Sequence, residues 1–262
     1  MLLFPLILFI LGLFIGSFLG VLIDRLPQNK SILGRSQCDY CNKPLSPIEL
    51  IPILSFVFQR GKCRSCHRRI SYFYPFVELI TGLLFVIVFI YIAGDSQYQI
   101  SNIKYQIDLI YYLLVTSGLI AIFFADLKYR IIPDQILFFL TVVSLPYLIF
   151  SGANLPLHIL SAVLGLGILL ILNIITKGRG MGLGDVKFAA VLGLVLGIPG
   201  IILALYLSFL TGAIASIILI LWGKKKLRGG TISFGPFMAL GAFLTLFFSS
   251  TLIPVILPFL IP

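Results

Sequence analysis

Charge is what this chain has least of. Asp, Glu, Lys and Arg make up 11% of its 262 residues, against 60% hydrophobic residues and a mean hydropathy of +1.13. So little charge cannot clothe a soluble domain of this length, which excludes that class and leaves a polytopic membrane protein. Acidic residues are the scarcer sign, nine against nineteen Lys and Arg, for a net charge of +10. The basic residues fall in short segments between apolar runs, which is how membrane topology is encoded, so no nucleic-acid partner is expected. The first 23 residues lack an early Lys or Arg and a small-residue cleavage site, which predicts a retained span rather than a removed signal. A dinucleotide-type glycine fingerprint is also missing.

What is present is a series of apolar runs near the length of about 20 residues that a bilayer crossing needs. They cover Met1–Ile23, Tyr74–Ala93, 106–125, 135–150, 157–176, Val186–Gly197, Ile201–Trp222 and the stretch from Phe234 onward. The seventh crossing rests on Ile198-Pro199-Gly200, which closes a short run. The expected fold is all-α and polytopic: about eight transmembrane helices, the first at 1–23, a polar insertion at 24–73, and a membrane core at 74–262. Gly16, Ser17 and Gly20 recur at helical spacing and predict close packing of the first span against another.

The insertion holds nine of the nineteen basic residues and all four cysteines, as Cys38-Asp39-Tyr40-Cys41 and Cys63-Arg64-Ser65-Cys66. By the positive-inside rule it is cytoplasmic, and the N-terminus is outside. Alternation then puts 126–134, 177–187 and 223–233 on the same side. Eighteen basic residues lie there, with Lys104 alone opposite. Two C-x-x-C knuckles at this spacing present four thiolates to one tetrahedral zinc. The competing account is two disulfides, which a reducing cytoplasm opposes. His67 is an alternative ligand.

Two carboxylates stand at the ends of apolar runs. Asp185 follows Gly182 and Gly184 in Gly180-Met181-Gly182-Leu183-Gly184-Asp185-Val186-Lys187, where missing Cβ atoms would let another backbone approach; a plain flexible turn is the other reading. Asp126 heads Asp126-Leu127-Lys128-Tyr129-Arg130-Ile131-Ile132-Pro133-Asp134. Two intervening crossings return both to one face. Carboxylates held close cannot both ionise, so one keeps a proton while the other draws a proton from water. Glu78, one turn into the second span, either joins a polar network or reaches for the surface. Gly235-Pro236 opens the last span, either beside a cavity or as a simple helix start.

With these residues in view, the chain resembles the bacterial type IV prepilin peptidases, the leader peptidase and N-methyltransferase family, along nearly its whole length. The resemblance rests on Gly16 to Pro27, the two knuckles, Ile70-Ser71 with Tyr74-Pro75 and Val77-Glu78-Leu79, Asp126 with Ile132-Pro133, Gly182-Leu183-Gly184-Asp185 with Lys187, and Phe234-Gly235-Pro236-Phe237. Gly20 and Phe73 depart from it, standing where many relatives have Asn and Arg. The resemblance implies a membrane aspartyl endopeptidase that cuts the basic leader from type IV prepilins or pseudopilins at the cytoplasmic face. It implies Asp126 and Asp185 as the catalytic pair, Gly182 and Gly184 as backbone along which substrate approaches, and Glu78, Lys187, Gly235 and Pro236 in support. It also implies N-methylation of the new terminus with S-adenosylmethionine, linked to the 24–73 region. The rival readings are a proton-coupled transporter with a regulatory zinc loop, a zinc-stabilised scaffold, and a presenilin-like or preflagellin-type protease.

Overall fold

A computed structural model describes residues 3–94, 102–178, 180–222 and 233–260. The basic loop with Lys224, Lys225, Lys226 and Arg228, as well as Arg179, lies outside them. The apolar runs become helices: α1 (Leu3–Arg25), α3 (Phe73–Ala93), α4 (Ile103–Tyr129), α5 (Asp134–Ser151), α6 (Leu155–Ile175), α7 (Leu183–Leu221) and α8 (Gly235–Leu260). A short α2 (Leu54–Phe58) sits in the insertion. The described residues contain no strand, only two isolated bridges. The chain divides into two compact units, Met1–Ala121 and Ile122–Pro262, so that α4 contributes to both.

In the first unit α1 and α3 meet through small residues. A Cβ on Gly12 would lie 2.7 Å from the Gly82 Cα, and one on Gly16 would lie 2.6 Å from the Glu78 Cα. Gly20 faces the Tyr74 ring. Backbones this close gain van der Waals contact that larger residues would prevent, as the glycine spacing predicts.

In the second unit α6 and α7 pack in the same way. A Cβ on Gly165 would come within 2.6 Å of the Ala189 carbonyl, and one on Gly193 would overlap the Ser161 carbonyl. The turn between α5 and α6 is short because Gly152, at φ +71°, ends one helix and the Asn154 side chain accepts the Leu157 N–H to start the next.

α7 has 39 residues, about 58 Å at 1.5 Å per residue and nearly twice what a crossing needs. It breaks at Gly197 (φ 64°, ψ −172°) and Ile198 (φ −97°, ψ 134°). Contacts along α6 show that the chain reverses there. Ala189 lies against Gly165 and Gly197 against His158, yet Ile201 is back at Gly165, 3.2 Å from a Cβ built on it. The second half then runs antiparallel to α8, with Gly200 near Thr245, Ala204 against Gly241 and Gly212 against Phe237. Six helices among the described residues are long and apolar enough to span. Counting α7 as a hairpin and adding α8 gives the eight crossings read from the sequence.

Candidate active site and metal centre

The sequence predicts Asp126 in a polar break, but it belongs to the last turn of α4, where the Arg130 N–H still bonds the Asp126 carbonyl at 2.9 Å. Arg130 itself has φ +57° and ends the helix. The Asp126 side chain is 5% exposed, and its Oδ2 has no hydrogen-bond partner among the described residues. The Gly235 N–H, at the start of α8, donates to the carboxylate. A Cβ on Gly235 would sit 2.6 Å from Oδ2, so this is where the site needs a missing side chain.

Asp185 is likewise inside a helix, at the third position of α7, where its Oδ2 accepts the Gly182 N–H at 3.0 Å. That bond is half of a capping box, the other half being impossible for glycine. Each carboxylate therefore faces a helix N-terminus, Asp185 that of α7 and Asp126 that of α8, where the backbone favours negative charge. The two lie close enough for their charges to repel, and the Arg130 charge also acts on Asp126.

Gly182 has φ −80°, a value any residue adopts, and a Cβ on Gly184 would meet Ile132 at an ordinary 3.5 Å. The loop before Asp185 is held from α6, where Asn173 Nδ2 donates to the Met181 carbonyl at 2.5 Å. Sequence reasoning missed Asn173; its signal is an amide near the end of an otherwise apolar run. It also treated Arg130 only as a topological charge, although the residue stands one helical turn after Asp126.

Lys187 does not join the pair. Its Nζ donates to both Asp134 oxygens at 2.9 Å, in an exposed bridge between the starts of α7 and α5. Pro236 falls in the first turn of α8, where a missing N–H is harmless. Glu78 lies in the first unit and resolves the sequence ambiguity in favour of a polar contact: it is 8% exposed and accepts the Ile53 N–H at 2.8 Å.

The two knuckles are conformational copies. The Cys38 and Cys63 N–H groups bond the Lys43 and Arg68 carbonyls, and the Cys38 and Cys63 carbonyls accept the Asn42 and His67 N–H groups. Asn42 and His67 share a left-handed φ of 53° and 55°; His67 thus serves the turn and is not in the metal-capable group of Cys38, Cys41, Cys63 and Cys66. The four Sγ atoms lie within 4.8 Å of one another, and Cys38 and Cys66 are 3.8 Å apart. All four are free thiols. Four thiolates at about 2.3 Å from a tetrahedral zinc stand about 3.8 Å apart, so the set fits that ion. Backbone N–H groups of Cys66 and Ser65 pull the Cys63 thiol down to about 7. The Cys66 thiol has a bond from the Arg68 backbone, but desolvation and the neighbouring thiols outweigh it and push it up to about 11.

A helical membrane protein with a buried carboxylate, a half-buried second one whose charge acts on it, and a four-thiol knuckle is the class that this fold and site define. Residues 10–92 match the family model described as bacterial peptidase A24 N-terminal domain, and residues 113–217 match that of the type IV leader peptidase family. The chain is 37% identical to a prepilin leader peptidase/N-methyltransferase of Bacillus subtilis (strain 168), covering 94% of this chain and 95% of that one. Relatives of the same name from Aeromonas hydrophila (32%; 93% and 90% covered) and Neisseria gonorrhoeae (31%; 87% and 84%) also match. The chain belongs to the type IV leader peptidase family. No solved structure matches it.

Proposed function

We propose that this integral membrane protein cuts the basic leader from prepilins or pseudopilins at the cytoplasmic face and then N-methylates the new terminus. Asp126 and Asp185 are the catalytic pair. One carboxylate takes a proton from water as the oxygen attacks the scissile carbonyl, and the other gives its proton to the departing amine. The unpartnered Asp126 Oδ2 is the atom with room for that proton. Gly182 and Gly184 form the backbone beside which an extended substrate lies. Glu78 holds the insertion and Lys187 braces the starts of α5 and α7, so neither touches the reaction. The orientation follows the positive-inside rule, with the insertion and both aspartates cytoplasmic and the N-terminus outside.

Zinc in the four-cysteine site would fasten the insertion; it takes no part in hydrolysis. Methylation with S-adenosylmethionine is carried by the relatives' printed name. The cleft of about 570 Å³ beside the insertion, lined by Ile53, Phe56, Tyr72, Phe73, Pro75, Phe76 and Leu79, is almost wholly apolar. It offers no carboxylate for the donor's ribose or amino group and does not fit it, so no step is routed there. The transporter reading finds no support in the fold or the relatives.

The observation that carries the peptidase reading is the buried, half-satisfied Asp126 carboxylate set against Asp185. It is tested by leader cleavage of a prepilin-like peptide in detergent, with folding and zinc content checked in each variant. Asp126→Asn and Asp185→Asn should abolish cleavage while Asp134→Asn cleaves. Cleavage persisting without either aspartate overturns the pair.

A further inference from the structure

The insertion exposes apolar side chains that its small core does not use. Ile48, Leu54, Val57 and Phe58 are 70%, 54%, 63% and 82% exposed. In a water-facing knuckle such a patch would be a liability, so its surroundings matter.

Its depth can be read from α3. That helix has 21 residues, about 31 Å, which only just matches a hydrocarbon core of about 30 Å. It therefore needs its whole length to cross. Yet the Ile53 N–H, immediately before α2, bonds Glu78, five residues inside α3. The start of α2 thus lies up to about 7 Å along the span, less the reach of the Glu78 side chain. Phe56 of α2 stacks edge-on against Tyr72 at 5.2 Å and shares a cleft with Phe76 and Leu79. So α2 lies alongside the first turns of a membrane helix rather than beyond its end.

Through Ile53 and Phe56, α2 shares a cleft with Phe76 and Leu79, the first residues of an exposed apolar face of α3. Phe76, Leu79, Leu83, Ile87 and Ile90 form an exposed helical stripe down α3, the face a spanning helix turns to acyl chains. Around the patch the chemistry is cationic, with eight Lys and Arg in residues 26–72 against Asp39 and Glu49.

We propose that the insertion is seated in the bilayer. Ile48, Leu54, Val57 and Phe58 enter the boundary between headgroups and acyl chains, and the basic residues of the knuckles meet anionic headgroups. An apolar ridge flanked by Lys and Arg is the composition of an interfacial anchor.

The test uses the full chain, with its one tryptophan removed as Trp222→Phe and Phe58→Trp as reporter. The protein is reconstituted in vesicles of phosphatidylcholine and phosphatidylglycerol whose acyl chains carry bromine near the headgroup. Seating predicts blue-shifted emission and several-fold more quenching by brominated than by plain lipid. Adding Val57→Asp should abolish most of that quenching while zinc content is unchanged. Red-shifted emission quenched by aqueous iodide, with no effect of bromine, overturns the proposal. So does an emission that shifts only when a prepilin-like peptide is added, because the patch would then belong to substrate.

Discussion

Gly235→Ala is the smallest change that should disable the carboxylate pair. The new methyl would stand 2.6 Å from Asp126 Oδ2, 3.0 Å from Cγ and 3.2 Å from Cβ. Rotating only the carboxylate cannot relieve all three contacts. Moving α8 instead would disturb its close seating on α7, where a Cβ on Gly241 would be 2.5 Å from the Ala204 carbonyl and the Ser208 hydroxyl. The smaller adjustment is for Asp126 to swing off its rotamer, at about 0.5–1.5 kcal/mol, within an overpacked site that costs about 1–3 kcal/mol of stability. The loss in catalysis should be larger than that, since displacing a reacting group by about 1 Å lowers the rate about 10²-fold. Steady-state cleavage of a prepilin-like peptide, with thermal unfolding in the same detergent, reads both. kcat should fall about 10²-fold with KM little changed, because the binding surface is intact. Gly167→Ala is the control: no atom lies within 4 Å of its Cβ, and a mid-helix alanine should stabilise by up to about 1 kcal/mol. If Gly235→Ala cleaves within a few-fold of wild type, the packing argument for Asp126 is refuted.

Gly193→Ala should destabilise the α6–α7 pair by about 1–3 kcal/mol or more, since its methyl meets the Ser161 carbonyl rather than a movable side chain; chemical unfolding in detergent checks it. Asp134→Asn breaks an exposed bridge whose partners are 57% and 68% accessible, so it should cost less than about 1 kcal/mol in the same assay. Zinc binding should tighten as pH rises. With Cys63 near 7 and Cys66 near 11, the first thiol is partly and the second almost wholly protonated at neutral pH, so binding should release protons, measurable by calorimetry in buffers of different ionisation enthalpy. An affinity that does not fall below pH 7 would exclude thiolate ligation.

Much of this molecule was legible because membrane segments write themselves in apolar runs of fixed length. Even the hairpin in α7 was marked, by Ile198-Pro199-Gly200, where hydropathy alone runs on. The helix ends were less legible. Asp126 and Asp185 looked like residues of polar breaks, because hydropathy falls wherever charge appears, yet each completes a helical turn. The knuckles announced four thiols but not that His67 would be taken by a left-handed turn matching Asn42. The intimate contact of the site was the least visible. The glycines beside Asp185 drew the eye, while the crowded one is Gly235, more than a hundred residues after Asp126. Only folding brings those two together.

Because each knuckle supplies just two thiols, neither half of the insertion can hold a metal ion alone. The ion would act as a rivet at the root of a loop whose tip is α2. Chain closed at its root is indifferent to what is threaded through it: doubling the length of such a loop costs only about 0.6 kcal/mol. Segments on either side of α2 can therefore lengthen, shorten or change composition without unfastening the base, provided Ile53 still reaches Glu78. This makes the tip the part of the protein freest to be retailored as the surrounding lipid changes, while the riveted base and the helices beneath it stay as they are.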